Sequence, residues 1–104
     1  MTRLLALDVS LNATGIVYPD GRIDCLRPPK TLRGGDRLLW WSTTWAVTLE
    51  DARPDRIVIE RPFAGKLRGD STAKLQQAYG VLLAEIARHC PTVVVTWVPP
   101  ATLK

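Results

Sequence analysis

The sequence predicts an α/β fold: a mixed five-stranded sheet, three antiparallel strands then α-β-α-β, with helices on its faces. Three observations predict it. Two short apolar runs, Leu4 to Val9 and Arg56 to Glu60, have the aliphatic density of strands inside a sheet. Between them lies Pro19-Asp20-Gly21, a hairpin turn signal. Two segments of helical periodicity then alternate with strands, which is the pattern of parallel βαβ units.

Each element has its own reason. Leu4 to Val9 is the first strand, and Ser10-Leu11-Asn12-Ala13 is a turn. Thr14 to Tyr18 continues as the second strand. After Pro19-Asp20-Gly21, Arg22 to Arg27 returns as the third, and Pro28-Pro29-Lys30 breaks the meander. Gly34-Gly35-Asp36 opens a helix with Asp36 expected as N-cap. Leu38, Trp41, Trp45 and Leu49 fall on one helical face, so the tryptophans Trp40, Trp41 and Trp45 are expected in packing rather than in base stacking. Arg56 to Glu60 is a continuous run expected to be buried on both faces. Arg61 to Gly69 is a Pro-, Gly- and cation-rich loop. Asp70-Ser71-Thr72 caps a second helix, whose stripe is Leu75, Ala78, Tyr79, Leu82 and Ile86. Val93 to Val98 is the fifth strand, and Ala101 to Lys104 begins a third helix.

Composition bounds the function. A chain of 104 residues is one domain, here taken as 1–104. Its formal charge of +4 favours an anionic partner, nucleic acid being the commonest. Cys25 and Cys90 lack CxxC spacing, which fits reduced thiols in the cytoplasm rather than a disulfide framework or zinc site. No apolar run approaches the roughly 20 residues that span a bilayer, so no membrane association is expected.

The chemistry-bearing feature is a pair of carboxylates. Asp8 sits within one apolar strand and Glu60 ends another. A charge in such a run is costly unless compensated, and a divalent cation with oxygen ligands, Mg²⁺ or Mn²⁺, is the usual compensation. Brought together, the two would form a metal-dependent site, with Asp8 bridging and Glu60 flanking. Two ligands alone give weak, roughly millimolar metal binding. The bland alternatives are a turn-forming Asp8 and a Glu60 paired with Arg56 or Arg61. Arg61, Lys66, Arg68 and Lys74 flank the second strand end and would contact phosphates; the alternative is a solvated basic loop. Arg27, Lys30, Arg33 and Arg37 form a second basic stretch, read as a solvated face. His89 near a helix C-terminus is read as a dipole partner. Gly80, mid-helix, costs about 1 kcal/mol against Ala and calls for a closely approaching helix.

The order and motifs resemble the RuvC-like Holliday-junction resolvases of the ribonuclease H-like superfamily. Leu7-Asp8-Val9-Ser10-Leu11-Asn12-Ala13-Thr14-Gly15 is similar to the first-strand motif. Ile59-Glu60-Arg61-Pro62-Phe63-Ala64-Gly65-Lys66 is similar to the second. Gln77 to Leu83 and Pro100 to Lys104 are weaker matches. The resemblance implies a homodimeric nuclease that cuts four-way or branched DNA with Mg²⁺ or Mn²⁺, with Asp8 and Glu60 as catalytic metal ligands. It also implies Phe63 as a wedge at opened bases, where the alternative is a loop anchor, and Lys104 as a phosphate contact. The family carries a further acidic helix that no residue here matches. The expectation is a chain truncated before that helix, with an Asp-x-x-Asp pattern beyond Lys104. A YqgF-like nuclease acting on RNA and a non-catalytic nucleic-acid-binding module are the competing readings. A nucleotide-binding lobe of the actin and sugar-kinase type is disfavoured, because the Ser10–Ala13 turn lacks the glycines that let a backbone cradle phosphate.

Overall fold

The computed structural model describes residues 2–61 and 70–99. Five strands, β1 (Leu4–Asp8), β2 (Thr14–Val17), β3 (Ile23–Leu26), β4 (Arg56–Glu60) and β5 (Val94–Val98), form one sheet in the order β3-β2-β1-β4-β5. The meander β1-β2-β3 is antiparallel, and β4 and β5 run parallel to β1. Helices α1 (Gly34–Ala52) and α2 (Asp70–His89) are the two crossovers.

The connections decide which face is covered. From β1 through α1 to β4, and from β4 through α2 to β5, the chain steps across the sheet in one direction. Right-handed crossovers that step the same way put both helices on the same face. Helices are therefore found, among the described residues, on one face of the sheet rather than on both.

Strand alternation sorts the residues accordingly. Leu5, Leu7, Ile16, Ile57 and Ile59 face the helices and join a single core with Trp41, Trp45, Leu49, Ala78, Leu82 and Ile86. Trp41 stacks on Trp45 with ring centroids 5.6 Å apart, and Trp40 meets Trp41 edge-on at 4.9 Å. The tryptophans are thus packing residues, as their spacing predicts. Ala6, Val58 and Glu60 on the opposite face are half-buried, so β4 is sealed on one side only. The both-faces expectation for β4 fails, because no helix among the described residues covers its second face.

Helix ends also differ in detail. The residue before α1 is Arg33, extended and without a side-chain cap, and Asp36 lies inside the first turn. Gly34 makes the entry bend at φ 54°, a conformation glycine adopts without a Cβ penalty. At the other end Arg53 is left-handed at φ 44°, and its N–H bonds the Leu49 carbonyl at 2.9 Å. The Arg3 guanidinium donates to the Ala52 carbonyl at 2.6 and 3.0 Å and to that of Arg53 at 3.1 Å. It supplies the cation that the last turn of α1 lacks.

Candidate active site

β1 and β4 are neighbouring parallel strands whose register pairs Leu7 with Ile59. Asp8 and Glu60 are the next positions on each strand, one strand spacing apart, about 4.8 Å. Because Leu7 and Ile59 face the helices, the two carboxylates share the open face. They line an open concavity of about 310 Å³ whose other walls include Ala6, Ile16, Val17, Val58 and Val98.

The surroundings explain the electrostatics. The largely apolar setting around Asp8 pushes its pKa up, and the Glu60 charge adds to the rise. Two neighbouring carboxylates form a hard oxygen donor set, which suits Mg²⁺ or Mn²⁺. Among the described residues, no group of three His, Cys, Asp or Glu is arranged to hold a metal ion.

The turn after Asp8 is held by its own side chains. Ser10 Oγ accepts the N–H groups of Asn12 and Ala13 at 3.1 and 3.2 Å. Buried Thr14 Oγ1 donates to the Ser10 carbonyl at 2.9 Å and accepts the Ser10 N–H at 3.2 Å. Trp41 Nε1 donates to the Leu11 carbonyl at 2.9 Å, tying the turn to α1. Gly15, the residue paired with Asp8, keeps the space before the carboxylate open; a Cβ there would stand 3.8 Å from the Asp8 Cβ. Ser10, Thr14 and Gly15 are therefore the frame of the motif, and Asp8 is its chemistry.

On the β4 side, the Tyr79 hydroxyl donates to the Glu60 main-chain carbonyl at 3.2 Å. Burial raises the Tyr79 pKa, and the Asp8 and Glu60 charges raise it further, so the phenol stays a donor. Tyr79 meets Trp97 edge-on at 5.1 Å, and the Arg61 guanidinium stands 5.8 Å from the Trp97 ring. The Arg61 N–H bonds the Val98 carbonyl at 2.7 Å. The sequence reading took Tyr79 only as part of the α2 stripe. Its contact with Glu60 spans 19 positions and has no sequence signal.

Of the other sequence candidates, exposed Arg61 stands directly after Glu60 and exposed Lys74 lies in the second turn of α2. Phe63, Lys66, Arg68 and Lys104 lie outside the described residues, as does the expected third helix. His89 is set between two carboxylates, 3.5 Å from Glu85 and 3.6 Å from Glu50, at the end of the sheet remote from Asp8. A Cβ on Gly80 would meet nothing within 4 Å among the described residues, so no described helix accounts for that glycine. Cys25 and Cys90 are free, as expected. No described helix is long and apolar enough to cross a membrane.

No protein-family model matches the chain. It is 33% identical over 107 residues to the crossover junction endodeoxyribonuclease RuvC of Rhodopseudomonas palustris, a match covering 88% of this chain and 61% of that protein. The chain thus spans about three fifths of the length of this curated relative. Among solved structures, Thermus thermophilus RuvC in complex with a Holliday junction substrate superposes with a TM-score of 0.78 at 14% identity, covering 96% of this chain and 66% of that one. A second Thermus thermophilus RuvC structure gives 0.74 at 16% identity, covering 94% and 64%. The yeast mitochondrial Holliday junction resolvase Ydc2 gives 0.57 at 16% identity, covering 94% and 50%. The chain is thus similar in sequence to one RuvC protein and shares the ribonuclease H-like fold of the RuvC structures.

Proposed function

We propose that this chain, as one nuclease domain over residues 1–104, serves a divalent-metal-dependent endonuclease that resolves four-way or branched DNA in the cytoplasm. The observation that carries the reading is the pairing of Asp8 and Glu60 on the two adjacent parallel strands, both on the open face. The similarity to RuvC supports the substrate class.

Asp8 and Glu60 would hold Mg²⁺ or Mn²⁺. When bound, the metal supplies an activated water and stabilises the leaving oxygen of a phosphodiester. The chain's own residues prepare the site. The Ser10–Thr14 turn holds the end of β1 in place, and Tyr79 anchors the backbone at Glu60. Arg61 and Lys74 offer cations to phosphates, with Lys66, Arg68 and Lys104 extending that set. Phe63 acts as a wedge at opened bases. A homodimer suits two symmetric cuts, and the space over Gly80, open among the described residues, leaves room for a second copy's helix.

The test is cleavage of an end-labelled four-way junction in Mn²⁺ beside an Asp8→Asn control. Paired nicks that vanish in the control are expected. The competing reading is junction binding without cleavage. Binding in Mn²⁺ with no nicks in either protein would select it.

A further inference from the structure

The turn that follows Asp8 has a second feature that the site above does not use. Beside it lies a pocket of about 290 Å³ whose lining includes Asn12, Arg27, Pro28, Lys30 and Arg37. Three of these are cations, and no carboxylate among the described residues lines the pocket. None of the three makes an ion pair among the described residues, although Asp36 adjoins Arg37 in the chain. Arg37 Nη1 donates to Asn12 Oδ1 at 3.1 Å. Its Nε is buried and has no acceptor. A buried donor without a protein partner is rare and favours an oxygen acceptor beside it.

The location gives this cluster of cations a meaning. β3 runs in the same direction as β1, since both pair antiparallel with β2. Arg27, the residue after β3, therefore emerges at the same edge of the sheet as Asp8 and Glu60. Two strand spacings separate it from β1, about 10 Å. Lys30 and Arg37 enter the same pocket from the next loop and from the first turn of α1.

We infer that Arg27, Lys30 and Arg37 form a phosphate-binding pocket that holds the nucleic-acid backbone a few nucleotides from the Asp8–Glu60 pair. At about 30 Å³ per water, the pocket has room for one phosphate group and several waters. Arg37, whose guanidinium is held by Asn12 Oδ1, is the fixed cation of the pocket. Arg27 and Lys30, both exposed, close on the anion from the rim. Such a contact carries no base readout; it sets the register of the strand relative to the carboxylates. This inference rests on the nuclease reading for its ligand, and on the pocket alone for its chemistry.

Two measurements test it. Inorganic phosphate is titrated into the ¹⁵N-labelled chain while the Arg37 Nε–Hε resonance is followed. Saturable movement of that resonance, lost in the Arg27→Gln/Lys30→Gln variant, is expected; an unmoved resonance overturns the pocket. Junction affinity is then measured against salt for the native chain and the same variant. Because each lost phosphate contact removes about one unit of log–log slope, the variant should be shallower by about two. An unchanged slope, with phosphate still moving Arg37, overturns the placement on the nucleic-acid path. A native chain that takes up no junction defeats the nuclease reading instead, and the phosphate titration then judges the pocket by itself.

Discussion

The two faces of the sheet are made by the same strands and do opposite work. On β1, Leu5 and Leu7 are sealed under α1 and α2, while Ala6 and Asp8 look out of the open face. On β4, Ile57 and Ile59 are fully buried and alternate with Val58 and Glu60. One residue step separates packing from chemistry. The covered face tolerates little, because its side chains fill a close-packed core. The open face can hold two crowded carboxylates, because Leu7 and Ile59 behind them supply the stability. A functional site with an energetic penalty of its own is thus set on strands whose reverse side is the best-packed part of the molecule.

The sharpest test of this contrast is Asp8→Asn. It should abolish metal-dependent nicking while raising the metal-free Tm, since it removes a carboxylate that Glu60 opposes. The sign follows from the raised Asp8 pKa. The folded chain holds that proton more tightly than the unfolded chain, so this group's contribution is greatest in acid and is lost as pH rises through the carboxylate range. Metal-free melting of the Asp8→Asn variant should accordingly depend less on pH between about 4 and 6. A lowered Tm would mean that Asp8 is a folding residue and that the two faces are not divided as described.

On the covered side, Ile59→Ala should cost about 2–5 kcal/mol by denaturant unfolding, because it opens a cavity beneath Glu60. A loss below about 1 kcal/mol would show that the core re-forms around it and is not the support inferred here.

Tyr79→Phe probes the link between the faces. Removing the hydroxyl should cost about 1 kcal/mol and weaken Mn²⁺ binding, with the ring contact to Trp97 kept. Unchanged Mn²⁺ affinity would make Tyr79 a packing residue alone.

Gly80→Ala should stabilise α2 by up to about 1 kcal/mol in the monomer, given the open space at its Cβ. Sedimentation would show whether the same change disrupts a dimer. Smallest of all, Val17→Thr on the open face should shift stability by less than about 0.5 kcal/mol; a loss like that of Ile59→Ala would erase the contrast between the faces.

Much of this was legible along the chain. The Pro19-Asp20-Gly21 hairpin forms as read, with Tyr18 and Arg22 bonded across it at 2.8 Å and Gly21 at φ 90°. Turn chemistry is local, so sequence suffices for it. Trp41 and Trp45 announced themselves by spacing, because helical periodicity survives in one dimension. Asp8 and Glu60 stood out as charges on apolar strands. By contrast, Asp36 has the sequence character of an N-cap, but Gly34 bends the chain into the helix one turn earlier. Arg37 reads in the sequence as part of a solvated face, yet its Nε is buried and its Nη1 donates to Asn12 Oδ1, 25 residues away.

By itself, then, the sequence determined the element order, the periodicity of each buried stripe and the identity of the two carboxylates, since these depend on neighbours a few positions apart. Tertiary structure decided what lies side by side. The handedness of two same-direction crossovers put both helices on one face. The Leu7–Ile59 register then set Asp8 beside Glu60 on the other. The same strand directions brought Arg27, Lys30 and Arg37 to that edge. Distances between residues far apart in the chain are fixed by strand pairing and crossover geometry, and no local pattern encodes them.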